Sequence, residues 1–221
     1  MPLTPLVPRL IAIAILAVLF VGMTAALAAG TFTGLDEQVA QAMHSLWQAP
    51  LHPLFQGIAE LGGIELTSVV MVGLTIYLLR SGFGSDAWVV LAFLAAQALE
   101  VLYKHFLHHP APPHPLSQGD GPSFSFLVAG SGAGNSFPSG HMLRAVIVFG
   151  LLAFVVRRLA TSGLVRAIAL AGAIVIVSLV AFDRVYLDVH WESDVIGGLL
   201  LGAIWLLAGT VWLDRPRSPR R

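Results

Sequence analysis

Three short clusters in this 221-residue chain hold residue types that together can handle a phosphoryl group. The first is Lys104. The second is Pro138-Ser139-Gly140-His141, and the third runs from Asp183-Arg184 through His190 to Asp194. Lys104 and Arg184 offer charge-assisted donors to anionic oxygens. Ser139 and Gly140 stand where a helix is predicted to begin, and a helix start presents unpaired N–H groups and the positive dipole end to an anion. His190 and Asp194 are four residues apart. On a helix beginning there they share a face, so the carboxylate fixes the imidazole tautomer and leaves the other ring nitrogen free to attack. His141 is then available to protonate a leaving oxygen.

The elements that must bring these clusters together are membrane spans. Hydrophobic residues make up 57% of the chain and charged residues 11%, far from soluble averages. A spanning helix needs about 20 mostly apolar residues, and that length fits six segments: 10–29, 62–80, 87–104, 141–158, 164–182 and 194–213. Ala26-Leu27-Ala28 resembles a signal cleavage site, but the apolar run from Leu10 to Leu27 is long for a signal core. Connections after the first, third and fifth spans are the longer ones and carry most histidines and prolines. Arg9, Arg80, Arg157, Arg158, Arg166, Arg215, Arg217, Arg220 and Arg221 fall on the opposite side, which the positive-inside rule makes cytoplasmic. Lys104, Arg144 and Arg184 fall outside, with all three clusters at span ends on that face. Ionisable groups at that depth are costly, so their presence there points to a function.

Lys plus Arg equals Asp plus Glu at twelve each, so there is no global field to attract nucleic acid. With no cysteine, thiol nucleophiles, thiolate ligands and disulfides are excluded. Leu35, Val39, Met43, Leu46 and Trp47 recur at helical spacing, predicting a helix that lies in the interface or packs on the bundle, with no part in the chemistry either way, ended by Pro50 and Pro53. His44 and His52 read as polar interface residues, and Tyr186 and Trp191 as belt aromatics. His105, His108, His109 and His114 lack the carboxylate or cysteine that would complete a metal set. Glu100, four residues before Lys104, is placed to offset the burial of that ammonium.

Order and spacing of the clusters resemble the type 2 phosphatidic acid phosphatase superfamily, whose pattern is K-x6-R-P, P-S-G-H and S-R-x5-H-x3-D. The second motif is complete as Pro138-Ser139-Gly140-His141. The third has Arg184, His190 and Asp194 correctly spaced, with Asp183 in place of Ser. The first departs: six residues after Lys104 comes Ala111, where the family has Arg, followed by the expected Pro112. By this resemblance His190 is the nucleophile, His141 the general acid and Asp194 the orienter of His190. Lys104, Ser139, Gly140 and Arg184 are implied phosphate ligands. Arg144, three residues after His141 and so on nearly the same helix face, is the candidate for the missing guanidinium.

The expectation is a single all-α integral membrane domain over residues 1–221, with its motifs at about 100–200 and short interfacial helices joining the spans. The site would lie at the extracytoplasmic face of a bacterial inner membrane, and the bilayer and a lipid phosphate or diphosphate would be its partners. Isoprenyl diphosphates, phosphatidic acid and phosphatidylglycerol phosphate all fit, and no metal or cofactor is required. A phosphotransferase and a weakly active lipid-phosphate-binding relative remain as alternatives, the latter because of Ala111.

Overall fold

The computed structural model describes residues 6–113 and 134–215, which leaves His114 and Gly130 to Ala133 outside. Among the described residues the structure is helical, with one isolated bridge between Pro110 and Asn135. Helix α1 (Leu6–Ala28) begins ahead of the expected Leu10, since Pro8 in the first turn gives up no helical hydrogen bond. It closes with Gly30 at φ 74°, where Thr31 N donates to Ala26 O and Gly30 N to Leu27 O. Helix α2 (Thr33–Leu46) covers the segment where the periodicity predicts a helix, and it packs on α7 and α8. Pro50 and Pro53 do not simply end it. They start the next pieces, a 3-10 turn at Ala49–Leu51 and helix α3 (His52–Ala59), because proline suits a first helical turn.

Helices α4 (Ile64–Arg80), α5 (Val90–Phe106), α6 (Gly140–Leu159), α7 (Gly163–Tyr186) and α8 (Glu192–Leu213) complete the molecule. Among the described residues, five segments are long and apolar enough to cross a membrane: α1, the run Ala49–Arg80, the run Gly84–Phe106, α7 and α8. The chain is an integral membrane protein. The remaining expected span, 141–158, corresponds to α6, which is not one of the five. It is the helix most enclosed by protein, buried along most of its length by α7, α8, α4 and α5.

Association of helices in lipid gains little from apolar burial and depends on close packing. Here α8 supplies the small residues. A Cβ at Gly198 would stand 2.5 Å from Ser139 O, and one at Gly202 would stand 2.9 Å from Val146 Cβ. The apolar core joins Phe20 of α1, Phe93 of α5, Phe137, and Leu143, Ile147 and Leu151 of α6. Charge is concentrated at both ends of α6. At one end lie the motif residues. At the other, about 25 Å away along the helix axis, Asp86 meets Arg158 (3.7 Å) and Arg215 (3.2 Å), and Arg9 meets Asp214 (2.6 Å).

Candidate active site

Ser139 is the N-cap of α6, so the first N–H groups of that helix, beginning at Gly140, have no helical acceptor. The Ser139 hydroxyl is fully buried and makes no hydrogen bond in the structure. Its backbone N–H donates to Asp194 O at 3.0 Å, tying the second motif to the third. Gly140 packs so tightly on the Glu100 carboxylate that a Cβ there has no room.

Asp194 lies in the first turn of α8. Its Oδ2 accepts from the Trp191 N–H at 2.9 Å, satisfying a helix-start donor, and stands 3.2 Å from His190 Nδ1. With Nδ1 engaged, Nε2 is the ring nitrogen left for chemistry. Asp194 Oδ1 faces His109 Nε2 at 3.4 Å. Burial pushes the His190 pKa below its ordinary 6.5. The hydrogen bond and charge of Asp194 pull it back up, and the cations Lys104 and Arg184 press it down again.

The cations are themselves held. Lys104 Nζ meets Glu100 Oε1 at 2.8 Å, the same-face pair expected from the spacing. Arg144 is buried; its Nε donates to Gly62 O (2.9 Å), and its NH1 reaches Gln97 Oε1 (3.1 Å) and Glu100 Oε2 (3.2 Å). Its NH2 lies 3.4 Å from His141 Nδ1. Arg184 donates through Nε (2.8 Å) and NH2 (2.6 Å) to Asp183 Oδ2, so the residue that replaces the usual serine holds this guanidinium. Arg184, Arg144, His190 and Lys104 all lie within electrostatic reach of His141. The structure therefore gathers Lys104, Ser139, Gly140, His141, Arg144, Arg184, His190 and Asp194 at one end of the bundle.

Other residues at the site carried no sequence signal specific enough to find them. His109 looked like one of a run of histidines, yet Asn135 Oδ1 holds its N–H (3.0 Å) and Ser136 bonds its carbonyl. Gly62 approaches His141 so closely that a Cβ would lie 2.8 Å from His141 O. Two readings need correction. Tyr186 is no belt residue: it is buried, its ring centroid is 4.1 Å from that of Phe55, and its hydroxyl accepts from the Gln48 N–H (2.9 Å). His44 is paired, with Nε2 3.0 Å from Asp188 Oδ2. Trp191 Nε1 donates to Pro110 O (2.8 Å), joining the first and third motif segments.

Comparison with known proteins bears on the same residues. The family model described as the PAP2 superfamily matches residues 86–218. Phosphatidylglycerophosphatase B of Bacillus subtilis (strain 168) is 29% identical over 188 residues, covering 84% of this chain and 86% of that protein. A putative undecaprenyl-diphosphatase of Escherichia coli (strain K12) is 35% identical over 79 residues, 36% of this chain and 35% of that protein. The crystal structure of a transmembrane PAP2-type phosphatidylglycerolphosphate phosphatase from Bacillus subtilis superposes with a TM-score of 0.72 at 26% identity, covering 89% of this chain and 93% of that one.

Proposed function

The chain belongs to the PAP2 superfamily, and we propose that it hydrolyses a membrane lipid phosphate or diphosphate through a phosphohistidine on His190. The observation that carries this reading is the 3.2 Å contact between His190 Nδ1 and Asp194 Oδ2 beside the open N-terminus of α6. His190 Nε2 attacks phosphorus, forming a P–N bond as the bond to the leaving oxygen breaks. His141 gives its proton to that oxygen. Water then attacks the phosphohistidine, His141 takes back a proton, and inorganic phosphate and free His190 result.

The Gly140 N–H, the Ser139 hydroxyl, Lys104 and Arg184 stabilise the charge spread over the equatorial oxygens. Arg144 supplies the positive charge that Ala111 lacks, with its NH2 3.4 Å from His141 Nδ1. We assign α6 as a sixth span and the motif end to the periplasmic face of a bacterial inner membrane, in keeping with the arginines at the opposite end. The phosphatidylglycerophosphate and undecaprenyl diphosphate named for the relatives are the first substrates to try.

The test is phosphate release by purified protein from a panel of lipid phosphates and diphosphates in the presence of chelator. Release from at least one, inhibited by vanadate, is expected. Activity lost in chelator and restored by one divalent ion would overturn the metal-free mechanism. Transfer of phosphate to a second lipid without free phosphate would instead establish a phosphotransferase.

A further inference from the structure

Besides the Trp191 bond to Pro110, the stretch that carries His190 is gripped at three points by α2 and the turn that follows it. At one end Asp36 accepts two buried hydrogen bonds, from Ser193 N at 2.9 Å and Ser193 Oγ at 2.7 Å. Asp36 is 3% exposed, although its neighbour Leu35 on the same helix is 48% exposed. A carboxylate at the second residue of α8 satisfies a helix-start N–H from outside that helix, one position before Asp194. In the middle, His44 Nε2 lies 3.0 Å from Asp188 Oδ2. Asp188 sits at φ 56°, a left-handed conformation that aspartate tolerates better than most residues but that needs support. At the far end the Gln48 N–H donates to the Tyr186 hydroxyl at 2.9 Å. Tyr186, Asp188 and Ser193 bracket His190 on both sides.

We propose that α2 is a positioning element for the nucleophile, with Asp36 and His44 holding residues 187–193 in the one arrangement that sets His190 against Asp194 beside the phosphate seat. Asp36 and His44 lie in none of the three motifs, and α2 precedes residue 86, where the family match begins. The inference rests on the reading of His190 as nucleophile. The charged and titratable groups around Asp36 are Asp194, His109 and Glu192, and those around His190 are Asp194, Lys104, Arg184, Glu100 and His141. Because Asp194 raises the His190 pKa, loosening α8 at its first turn lets that pKa fall further.

The experiment compares Asp36→Ala, Asp36→Asn and His44→Ala with the native protein in phosphate release across pH, at equal folded protein judged by thermal unfolding. Asp36→Ala is expected to lower kcat by about 5- to 30-fold, the range of a lost helix cap, with KM within about threefold. Its acid limb should move to lower pH, and Asp36→Asn, whose amide oxygen still accepts from Ser193 N, should recover most of kcat. His44→Ala should change kcat and the acid limb in the same direction by less, and it serves if Asp36→Ala does not fold. Native kcat in both alanine variants would overturn the proposal. So would a loss of activity that follows the folded fraction with an unmoved acid limb. His190→Ala in the same assay separates the two levels: if it still turns over, the nucleophile reading fails, and if it is inert while the α2 variants are native, this inference alone fails.

Discussion

At the scale of single residues, the site is a set of charges each tied down by another. His190→Ala should abolish turnover. His141→Ala should spare part of it for substrates whose leaving oxygen needs no proton. Phosphate release from a lipid phosphate and from an activated aryl phosphate checks both, and near-native turnover in His190→Ala would end the phosphohistidine mechanism. Burial places the His190 pKa below 6.5, so the imidazole stays neutral and nucleophilic at pH values where an ordinary histidine is half protonated. The acid limb of kcat/KM, corrected for ionisation of the substrate phosphate, is therefore expected below 6.5. A limb above that value contradicts the assignment. Arg144 is bound through Gly62, Gln97 and Glu100, and its removal leaves a buried carboxylate short of a partner. Two lost charge-assisted bonds at about 1.5–3 kcal/mol each correspond to about 10² to 10⁴ in rate. Arg144→Ala should thus damage kcat about as badly as Arg184→Ala, and adding Ala111→Arg should restore part of it. Native kinetics in Arg144→Ala would remove it from the site.

Among the elements, α6 and α8 make the site by how closely they approach. Gly198 lies against Ser139 O, so Gly198→Ala forces a shift that overpacking places at about 1–3 kcal/mol and that moves the phosphate seat. Gly172, with nothing within 4 Å of a Cβ, is the control. Thermal unfolding and kcat should both fall for Gly198→Ala and stay level for Gly172→Ala; equal behaviour would show that the close approach is dispensable. The helices themselves were legible because apolar runs of spanning length leave little choice of structure, and the motif clusters were legible because multi-residue patterns in fixed order are specific. What was not legible came from contacts between distant segments. Asp36 reads as one more polar residue on an amphipathic helix until Ser193 is found against it, and Gly62 as no more than the start of an apolar span until His141 is. Pro50 and Pro53 misled because proline stops one helix and starts another equally well.

For the whole molecule, the two ends differ in kind: one holds the motif residues, the other a net of arginines with Asp86 and Asp214. Single cysteines introduced at Ser45 and Ser81, exposed near opposite ends of a chain that has no cysteine, should label from opposite sides of the membrane. Reagent confined outside the cell should reach Ser45→Cys and spare Ser81→Cys. The reverse pattern would turn the topology over. A last point follows from α1, which packs chiefly on α8, where Arg9 reaches both Asp214 and the Thr210 carbonyl. Phe20 of the same helix stacks on Phe137, just ahead of the second motif, at 5.9 Å between ring centroids. In the order of synthesis, α1 leaves the ribosome long before α8, its main neighbour. Until α8 arrives, α6 lacks one of the helices that bury it and Ser139 lacks the Asp194 carbonyl, so a nascent chain stalled before Glu192 lacks Asp194 and has no complete site. The site therefore forms only after α8 is made, and protease protection of α1 in chains of increasing length should rise only once Leu213 has emerged.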